Sequence, residues 1–329
     1  MYRHLILLAS VAAYVHSVQV TVEEGTLEGQ TLENKYGKPY HSFEGIPYAV
    51  PPLGDLRFKP PQPIQPWSGV KQANQTGSMC FQYNLFVVPY PPPEGSEDCL
   101  YMNIYSPNVT TDQPYPVMFW IHGGGFVSGS GDEYKPDFLI RKDVVLVTFN
   151  YRLEVLGFLS LGTQDIPGNA GMKDQVAALS GTANSWWPNT YRARDRAIQL
   201  ARQMGCNSTE DTEIYNFFKQ QTVKDFVKSR IVVTYTQYAK ESPNVYFGVV
   251  SERKFGDEEV FFQGDVYDVL RTGIHEGVEV INGYVEDEGT LYFATGTNIP
   301  RIFEQANQFL EFFVPEPLTL HCSSASGSW

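Results

Sequence analysis

Two uninterrupted apolar runs constrain the fold of this chain more strongly than any other feature. Residues 117–121 read Val-Met-Phe-Trp-Ile, and residues 144–149 read Val-Val-Leu-Val-Thr-Phe. Because apolar and polar residues do not alternate, each run predicts a strand that is buried on both faces, as in a parallel sheet covered by helices. Helical periodicity follows at 170–179, 193–204 and 210–220. Strands that are followed by helices predict an α/β fold.

Shorter segments extend this sheet toward both ends of the chain. Residues 18–50 contain short β-rich runs broken by glycine and proline, a pattern typical of antiparallel strands at a sheet edge. Residues 100–105 predict another strand, and residues 278–281 predict a last strand that leads into an acidic turn. A helix is predicted at 300–313, and Pro315 ends it.

Length, composition and charge exclude several classes of protein. The 329 residues can bury a sizeable core, as one large domain or two ordinary ones. The hydrophobic fraction of 42% excludes an intrinsically disordered chain. The net charge of −13 repels phosphate backbones, so no nucleic-acid partner is expected. After the N-terminus no apolar run approaches the roughly eighteen residues of a membrane span, so no membrane anchor is predicted.

The N-terminus has the pattern of a secretory signal peptide over residues 1–17. A basic start at Arg3 precedes the apolar run Leu5–Ala9, and small residues stand at positions −3 and −1 before Val18. The alternative is a buried strand or helix that merely begins the chain. Three N-glycosylation sequons agree with export, and their acceptor residues are Asn74, Asn108 and Asn207. We therefore expect a secreted protein.

Four cysteines in an oxidising compartment favour pairing. Cys80 and Cys99 bracket a proline-rich segment, and a disulfide between them would close a loop of about twenty residues, worth roughly 3 kcal/mol in the chain-entropy model. Cys206 and Cys322 have no evident partners, and nothing in the sequence supports a bridge between them.

A glycine-rich segment, His122–Phe126, directly follows the first apolar run. Three successive glycines allow backbone dihedrals that turn peptide N–H groups toward one point. Such groups stabilise a developing oxyanion by about 3–4 kcal/mol per donor in acyl transfer. An ordinary glycine turn is the alternative, but glycines framed by a strand, a histidine and a phenylalanine are far more specific for an oxyanion hole.

Several further motifs stand in order along the chain. They are Phe43–Ala49, Pro51–Gly54, Leu56–Phe58, Ser96–Tyr105, His122–Phe126, Asn150–Arg152, Leu156–Leu159 and Gly168–Gln175. In this order they resemble the type B carboxylesterase family, the α/β-hydrolase group that includes cholinesterases, juvenile hormone esterases and odorant-degrading esterases of insects. The resemblance runs from about residue 20 to about residue 315.

The resemblance implies a fold and an activity. The fold would be an α/β-hydrolase, with a mostly parallel central sheet and helices on both faces. The activity would be hydrolysis of small hydrophobic carboxylic esters through a Ser-His-Glu triad, with no cofactor and no metal. Gly124 and Gly125 would be the oxyanion-hole donors, and Glu288 would be the triad acid. The alternative for Glu288 is a solvated turn carboxylate beside Glu286 and Asp287.

The resemblance also implies structural pairs. Cys80 and Cys99 match the family's first disulfide. The residues of two buried ion pairs are also matched: Arg57 with Glu97, and Arg152 with Asp174. For Arg57 and Glu97 the alternative is two unrelated surface charges.

The chain lacks the nucleophile that this chemistry needs. A serine hydrolase of this type carries its serine in a G-x-S-x-G elbow between a strand and a helix. No serine of this chain has glycines at both −2 and +2, and Ser160, with Gly162 behind it, comes nearest. The resemblance jumps at the Leu179/Ser180 junction to a segment well beyond the elbow. We therefore predict one domain, residues 18–315, with an internal gap at 179/180 in which the nucleophile strand is missing.

The catalytic base is missing as well. The family's histidine follows its triad acid, but the one histidine after Glu288 is His321, in a tail at 316–329 that resembles nothing in the family. His122 matches a position that lines the site. Without serine and histidine, neither an acyl-enzyme nor base activation is possible, so we predict a chain that is inactive or nearly so. Because the missing central strand would leave apolar strand edges exposed, we also expect poor secretion. The alternatives are a non-catalytic binding or adhesion module and a binder of hydrophobic ligands with the same fold.

Overall fold

The computed structural model describes residues 16–83, 92–111, 113–179, 192–228, 247–256, 260–261 and 263–264. Several predicted features lie outside these ranges. They are most of the signal peptide, the strand at 278–281, the helix at 300–313, Glu288, and the tail with His321 and Cys322.

The described residues form one mixed sheet in the order β1-β2-β3-β5-β7-β6, with β4 beside β2. The strands are β1 (His16–Val22), β2 (Gly25–Glu33), β3 (Pro39–Pro47), β4 (Val70–Gln72), β5 (Tyr101–Ser106), β6 (Val117–Trp120) and β7 (Val145–Phe149). The antiparallel strands predicted within 18–50 are confirmed, because β1 pairs with β2 and β2 pairs with β3 in antiparallel register. The two apolar runs form a parallel pair, β6 with β7.

The part of the sheet that the structure describes is mixed rather than mostly parallel. The pairs β3–β5 and β5–β7 are antiparallel as well, so parallel pairing is confined to β6–β7 and β2–β4 among the described strands. The N-terminal strands are joined by short turns, such as the two residues between Val22 and Gly25. A turn of that length can join only antiparallel strands, because a parallel connection needs a crossover of a dozen or more residues.

The three helices predicted within the described residues, at 170–179, 193–204 and 210–220, are present, with ends that agree to within one residue. The α-helices are α1 (Glu154–Phe158), α2 (Ala170–Leu179), α3 (Ala193–Gln203), α4 (Asp211–Gln220) and α5 (Val223–Lys228). Ile214 and Phe218 lie one turn apart on α4, and both are fully buried in the largest apolar cluster. Among the helices that the structure describes, none combines the length and the apolar character needed to cross a bilayer.

The two strands from the apolar runs differ in burial. Four of the five residues of β7 are buried, as predicted. By contrast, the side chains of β6 are 40–55% exposed, so the expectation that this strand is buried on both faces is wrong over the described residues. The reason lies in the sheet order: β6 is the last strand, and β7 is its one partner in the described part of the sheet.

Candidate functional site

The glycine-rich loop lies at the carboxyl end of β6, the edge at which α/β sheets place their sites. Three successive residues have positive φ: Gly124 (115°), Gly125 (63°) and Phe126 (64°). A side chain at Gly124 would collide with the carbonyl oxygen of Ser128, so only glycine fits there. The local chain path therefore explains why the sequence places glycine at 124 and 125.

Phe126 adopts a left-handed conformation that is unfavourable for a bulky side chain. Two contacts hold it in place. Its ring stacks on that of Phe158 at a centroid distance of 4.5 Å, and its carbonyl accepts a hydrogen bond of 2.7 Å from the Glu154 amide. Strained backbone of this kind concentrates at functional sites, where the surrounding structure holds it.

The amides of the loop are available to a ligand. Gly123 is exposed, and Gly124 and Gly125 are half-buried. Neither the Gly124 N–H nor the Gly125 N–H donates a hydrogen bond to another described residue. The carbonyl of Gly124, in contrast, accepts from the amides of Val127 (3.1 Å) and Ser128 (3.2 Å). The loop thus presents two N–H donors that no described residue binds, on a backbone held by the hydrogen bonds to the Gly124 carbonyl.

His122, at the start of the loop, is 2% exposed. Its ring stacks on Tyr151 at 4.3 Å, and the Tyr151 hydroxyl donates a 2.9 Å hydrogen bond to the carbonyl of His122. Burial lowers the pKa of the imidazole to about 4, so the ring is neutral at pH 7. Its Nε2 has no hydrogen-bond partner among the described residues. A buried ring with no serine against Nε2 is not placed to act as a general base.

Ser160, the serine nearest to an elbow pattern, has a structural role in this conformation. It is buried, its hydroxyl donates to the carbonyl of Pro167 (3.1 Å), and its oxygen accepts from the amide of Gly162 (3.1 Å). Both interactions close the turn that follows α1. A hydroxyl engaged in this way is not available for attack on a carbonyl carbon.

The pairs that the resemblance implied are present around the site. Cys80 and Cys99 form a disulfide, so that prediction is confirmed. Arg57 makes two hydrogen bonds to Glu97, of 2.6 and 2.5 Å, and its third nitrogen donates to the carbonyl of Gln221 (2.7 Å) just after α4.

Arg152 and Asp174 form a second ion pair, in which both side chains are almost fully buried. The pair joins the segment after β7 to helix α2, which begins at Ala170. Like the contacts of Arg57, this pair connects separate elements of the fold.

Two groups of side chains that sequence reasoning missed also hold the site region together. The Gln82 side chain accepts from the amide of Gly129 (2.7 Å) and donates to its carbonyl (2.9 Å). Asn169 makes a similar two-point contact with the backbone of Val250, at 2.8 and 2.7 Å. Glu252 accepts from both Asn169 and Lys173, each at 2.7 Å. No local sequence pattern predicts these contacts, because the partners are 47 to 83 residues apart.

The three sequons lie at accessible positions. Asn74 and Asn207 are exposed, and Asn108 is half-buried. The side-chain oxygen of Asn108 accepts from both the amide (3.0 Å) and the hydroxyl (3.1 Å) of Thr110, the third residue of its sequon. Within the ranges that the structure describes, no cluster of three or more His, Cys, Asp or Glu residues could hold a metal ion.

Comparison with known proteins agrees with these features. The model of the carboxylesterase family matches residues 16–180 and 179–323. A carboxylic ester hydrolase of Bombus ignitus is 32% identical over 350 aligned positions, which cover 90% of this chain and 61% of that protein. A juvenile hormone esterase of Tribolium castaneum is 48% identical over 162 residues, 49% of this chain and 27% of the relative.

A solved structure is similar over most of the chain. The crystal structure of juvenile hormone esterase from Manduca sexta, with OTFP covalently attached, superposes with a TM-score of 0.67 at 29% identity. The match covers 78% of this chain and 58% of that one. The chain thus spans about 60% of the length of the Bombus relative and under a third of that of the Tribolium relative.

Proposed function

We propose, since the chain belongs to the carboxylesterase family, that its complete form hydrolyses carboxylic esters by acyl transfer through a serine. The observation that carries this proposal is the loop after β6, in which the amide donors of Gly124 and Gly125 bind no other described residue. Two such donors stabilise the oxyanion of an acyl-transfer intermediate, each by about 3–4 kcal/mol. Glu288 is the proposed triad acid.

We further propose that the present chain is inactive or nearly so. Acyl transfer needs a nucleophile and a base, and removal of triad members lowers the rate by a factor on the order of a million. No serine stands in a G-x-S-x-G elbow, and the hydroxyl of Ser160 is engaged in a turn. His122 is buried and neutral, and the other histidines that the structure describes, His16 and His41, lie on the N-terminal strands.

Three observations support an internal gap at 179/180. The family model matches in two segments that meet at these residues. The alignment with the Bombus relative spans 350 positions, more than the 329 residues of the chain, so it places gaps within the chain. Strand β6 carries an apolar sequence typical of a buried strand, but its residues are exposed and it is the last strand of the described sheet. A missing nucleophile strand accounts for all three.

The proposed substrates of the complete form are small hydrophobic esters. The relatives are named as a carboxylic ester hydrolase and a juvenile hormone esterase, and an ester is the common chemistry of both names. A net charge of −13 disfavours a nucleic-acid partner. We propose no cofactor, because a serine triad with an oxyanion hole is sufficient for ester hydrolysis.

We propose that the protein is directed to the secretory pathway. The signal-peptide pattern at 1–17 supports this, as do the sequons at Asn74, Asn108 and Asn207 and the disulfide between Cys80 and Cys99. The exposed apolar strand β6 favours self-association, which would keep the amount of secreted protein low.

The inactivity is tested by turnover of p-nitrophenyl esters with the purified chain and with its Gly124→Pro variant. We expect both to hydrolyse ester at the rate of buffer. Turnover that Gly124→Pro abolishes would contradict the proposal, because it would show catalysis that depends on the loop amides. Saturable ester binding without turnover would favour a hydrophobic-ligand binder instead.

The activity of the complete form is tested at the level of the transcript. We expect the transcript sequence across the Leu179/Ser180 junction and beyond Val314 to encode a G-x-S-x-G elbow and a histidine that follows the triad acid. A transcript from the source that joins these residues with no elbow would contradict an esterase parent.

A further inference from the structure

We propose that His122 is a positioning residue that orients the amide of Gly124 by binding the carbonyl of the same peptide group. This inference rests on the proposed oxyanion role of Gly124 and Gly125. The Nδ1 of His122 lies 2.9 Å from the carbonyl oxygen of Gly123. That carbonyl and the Gly124 N–H belong to one peptide group.

The geometry of the peptide bond couples the orientation of the Gly123 carbonyl to that of the Gly124 N–H. A trans peptide is planar, and its C=O and N–H point in opposite directions. A partner that fixes the direction of the Gly123 carbonyl therefore fixes the direction of the Gly124 N–H as well. Glycine backbones on both sides of the peptide rotate freely, so without a partner on the carbonyl this amide would sample several orientations.

The direction of this hydrogen bond follows from the chemistry of its two atoms. A carbonyl oxygen can only accept, so Nδ1 must carry the proton. The ring is buried and neutral, so Nε2 is then unprotonated. The contact thus specifies one tautomer of His122, with the proton on Nδ1.

The surroundings of His122 hold its ring in the required place. Tyr151 stacks on the ring and binds the His122 carbonyl. Gly129 lies against Nδ1 and the Gly123 carbonyl, and a side chain at 129 would collide with the imidazole. Gln82 fixes Gly129 through its two hydrogen bonds. Gly129 and Gln82 thus help to position the His122 ring, a role that the sequence alone does not predict.

The second proposed donor is anchored differently. The Gly125 N–H shares a peptide group with the Gly124 carbonyl, which accepts from the amides of Val127 and Ser128. Among the described residues, the orientation of the Gly125 amide therefore depends on backbone contacts, whereas that of the Gly124 amide depends on a side chain. This difference makes the inference testable, because a change at His122 should disturb Gly124 and spare Gly125.

The test is NMR on the full chain labelled with ²H and ¹⁵N, as wild type and as two variants. His122→Phe keeps an aromatic ring against Tyr151 and removes the donor. His122→Asn keeps an N–H donor at the δ position. In the wild type we expect the ¹⁵N signature of the tautomer protonated at Nδ1. The Gly124 amide resonance should shift or broaden in His122→Phe and return toward its wild-type position in His122→Asn, while Gly125 stays unchanged in both.

A titration with methylphosphonate, whose anionic oxygens imitate a tetrahedral oxyanion, separates this inference from the proposed function. We expect the Gly124 and Gly125 amides of the wild type to respond, and the apparent Kd to rise about tenfold in His122→Phe, as for one lost hydrogen bond. If the amide resonances of Gly124 and Gly125 do not shift during the titration, the oxyanion role of both glycines would be contradicted. A tautomer protonated at Nε2, or a Gly124 resonance unchanged in His122→Phe, would overturn the role of His122 alone.

Discussion

The buried ion pair between Arg152 and Asp174 should contribute measurably to the free energy of unfolding. The two side chains are 3% and 0% exposed. Asp174 accepts three hydrogen bonds from Arg152: from the backbone N–H (3.0 Å), from Nε (2.8 Å) and from one terminal nitrogen (2.7 Å). Asp174→Asn retains the shape of the side chain and removes its charge.

The expected cost of Asp174→Asn is large. Arginine cannot lose its proton in a protein, so the substitution leaves a buried positive charge without a counter-ion. Breaking a buried pair in this way costs about 3–5 kcal/mol, out of a total stability of roughly 5–15 kcal/mol. With a slope of about 3 kcal/mol per M in urea, the unfolding midpoint should fall by about 1–2 M.

The assay is urea unfolding followed by tryptophan fluorescence, with Asp143→Asn as a matched control. Asp143 pairs with Lys38 at 2.8 Å, but these side chains are 61% and 44% exposed. Its φ of 54° is one that asparagine tolerates. An exposed pair contributes about 1 kcal/mol or less, so the control should unfold near the wild-type midpoint. Equal midpoint shifts for the two variants would refute the argument from burial.

Three further predictions concern the disulfide, the exposed strand and the buried histidine. Serine at both Cys80 and Cys99 should lower the free energy of unfolding by about 3 kcal/mol, whereas Cys206→Ser, at a half-buried position, should lower it by about 1 kcal/mol or less; equal losses in urea titrations would contradict this. Phe119→Lys places a charge on the edge strand β6 and should reduce light scattering at a given protein concentration, and unchanged scattering would refute β6 as the contact. Because burial lowers the pKa of His122 to about 4, the unfolded chain takes up a proton first, and the stability of the wild type relative to His122→Phe should fall by about 3 kcal/mol between pH 6.5 and pH 4; parallel stability curves would contradict this.

Much of the fold could be predicted from the sequence, because its signals are local. The apolar runs at 117–121 and 144–149 have a strand pattern that does not depend on distant residues, and they form β6 and β7. Helical periodicity placed α2, α3 and α4 to within one residue. The glycines after β6 predicted a loop with unusual dihedrals, and the φ values of Gly124 and Gly125 agree with this.

What the sequence could not predict depends on partners far along the chain. An apolar strand has the same sequence whether a neighbour covers it or not, so the exposure of β6 is explained by its place at the end of the described sheet and not by its sequence. The contact between His122 and Gly123 joins adjacent residues, but its role depends on Gly129, Gln82 and Tyr151. These contacts require the tertiary arrangement, which no local motif specifies.

We propose that this chain carries the loop of an ester hydrolase without the nucleophile. The most direct test is intact-mass spectrometry of the purified chain after incubation with an alkyl fluorophosphonate, which forms a covalent adduct with an activated serine. We predict that the mass stays that of the unmodified chain. A stoichiometric adduct that maps to a single residue would contradict the claim.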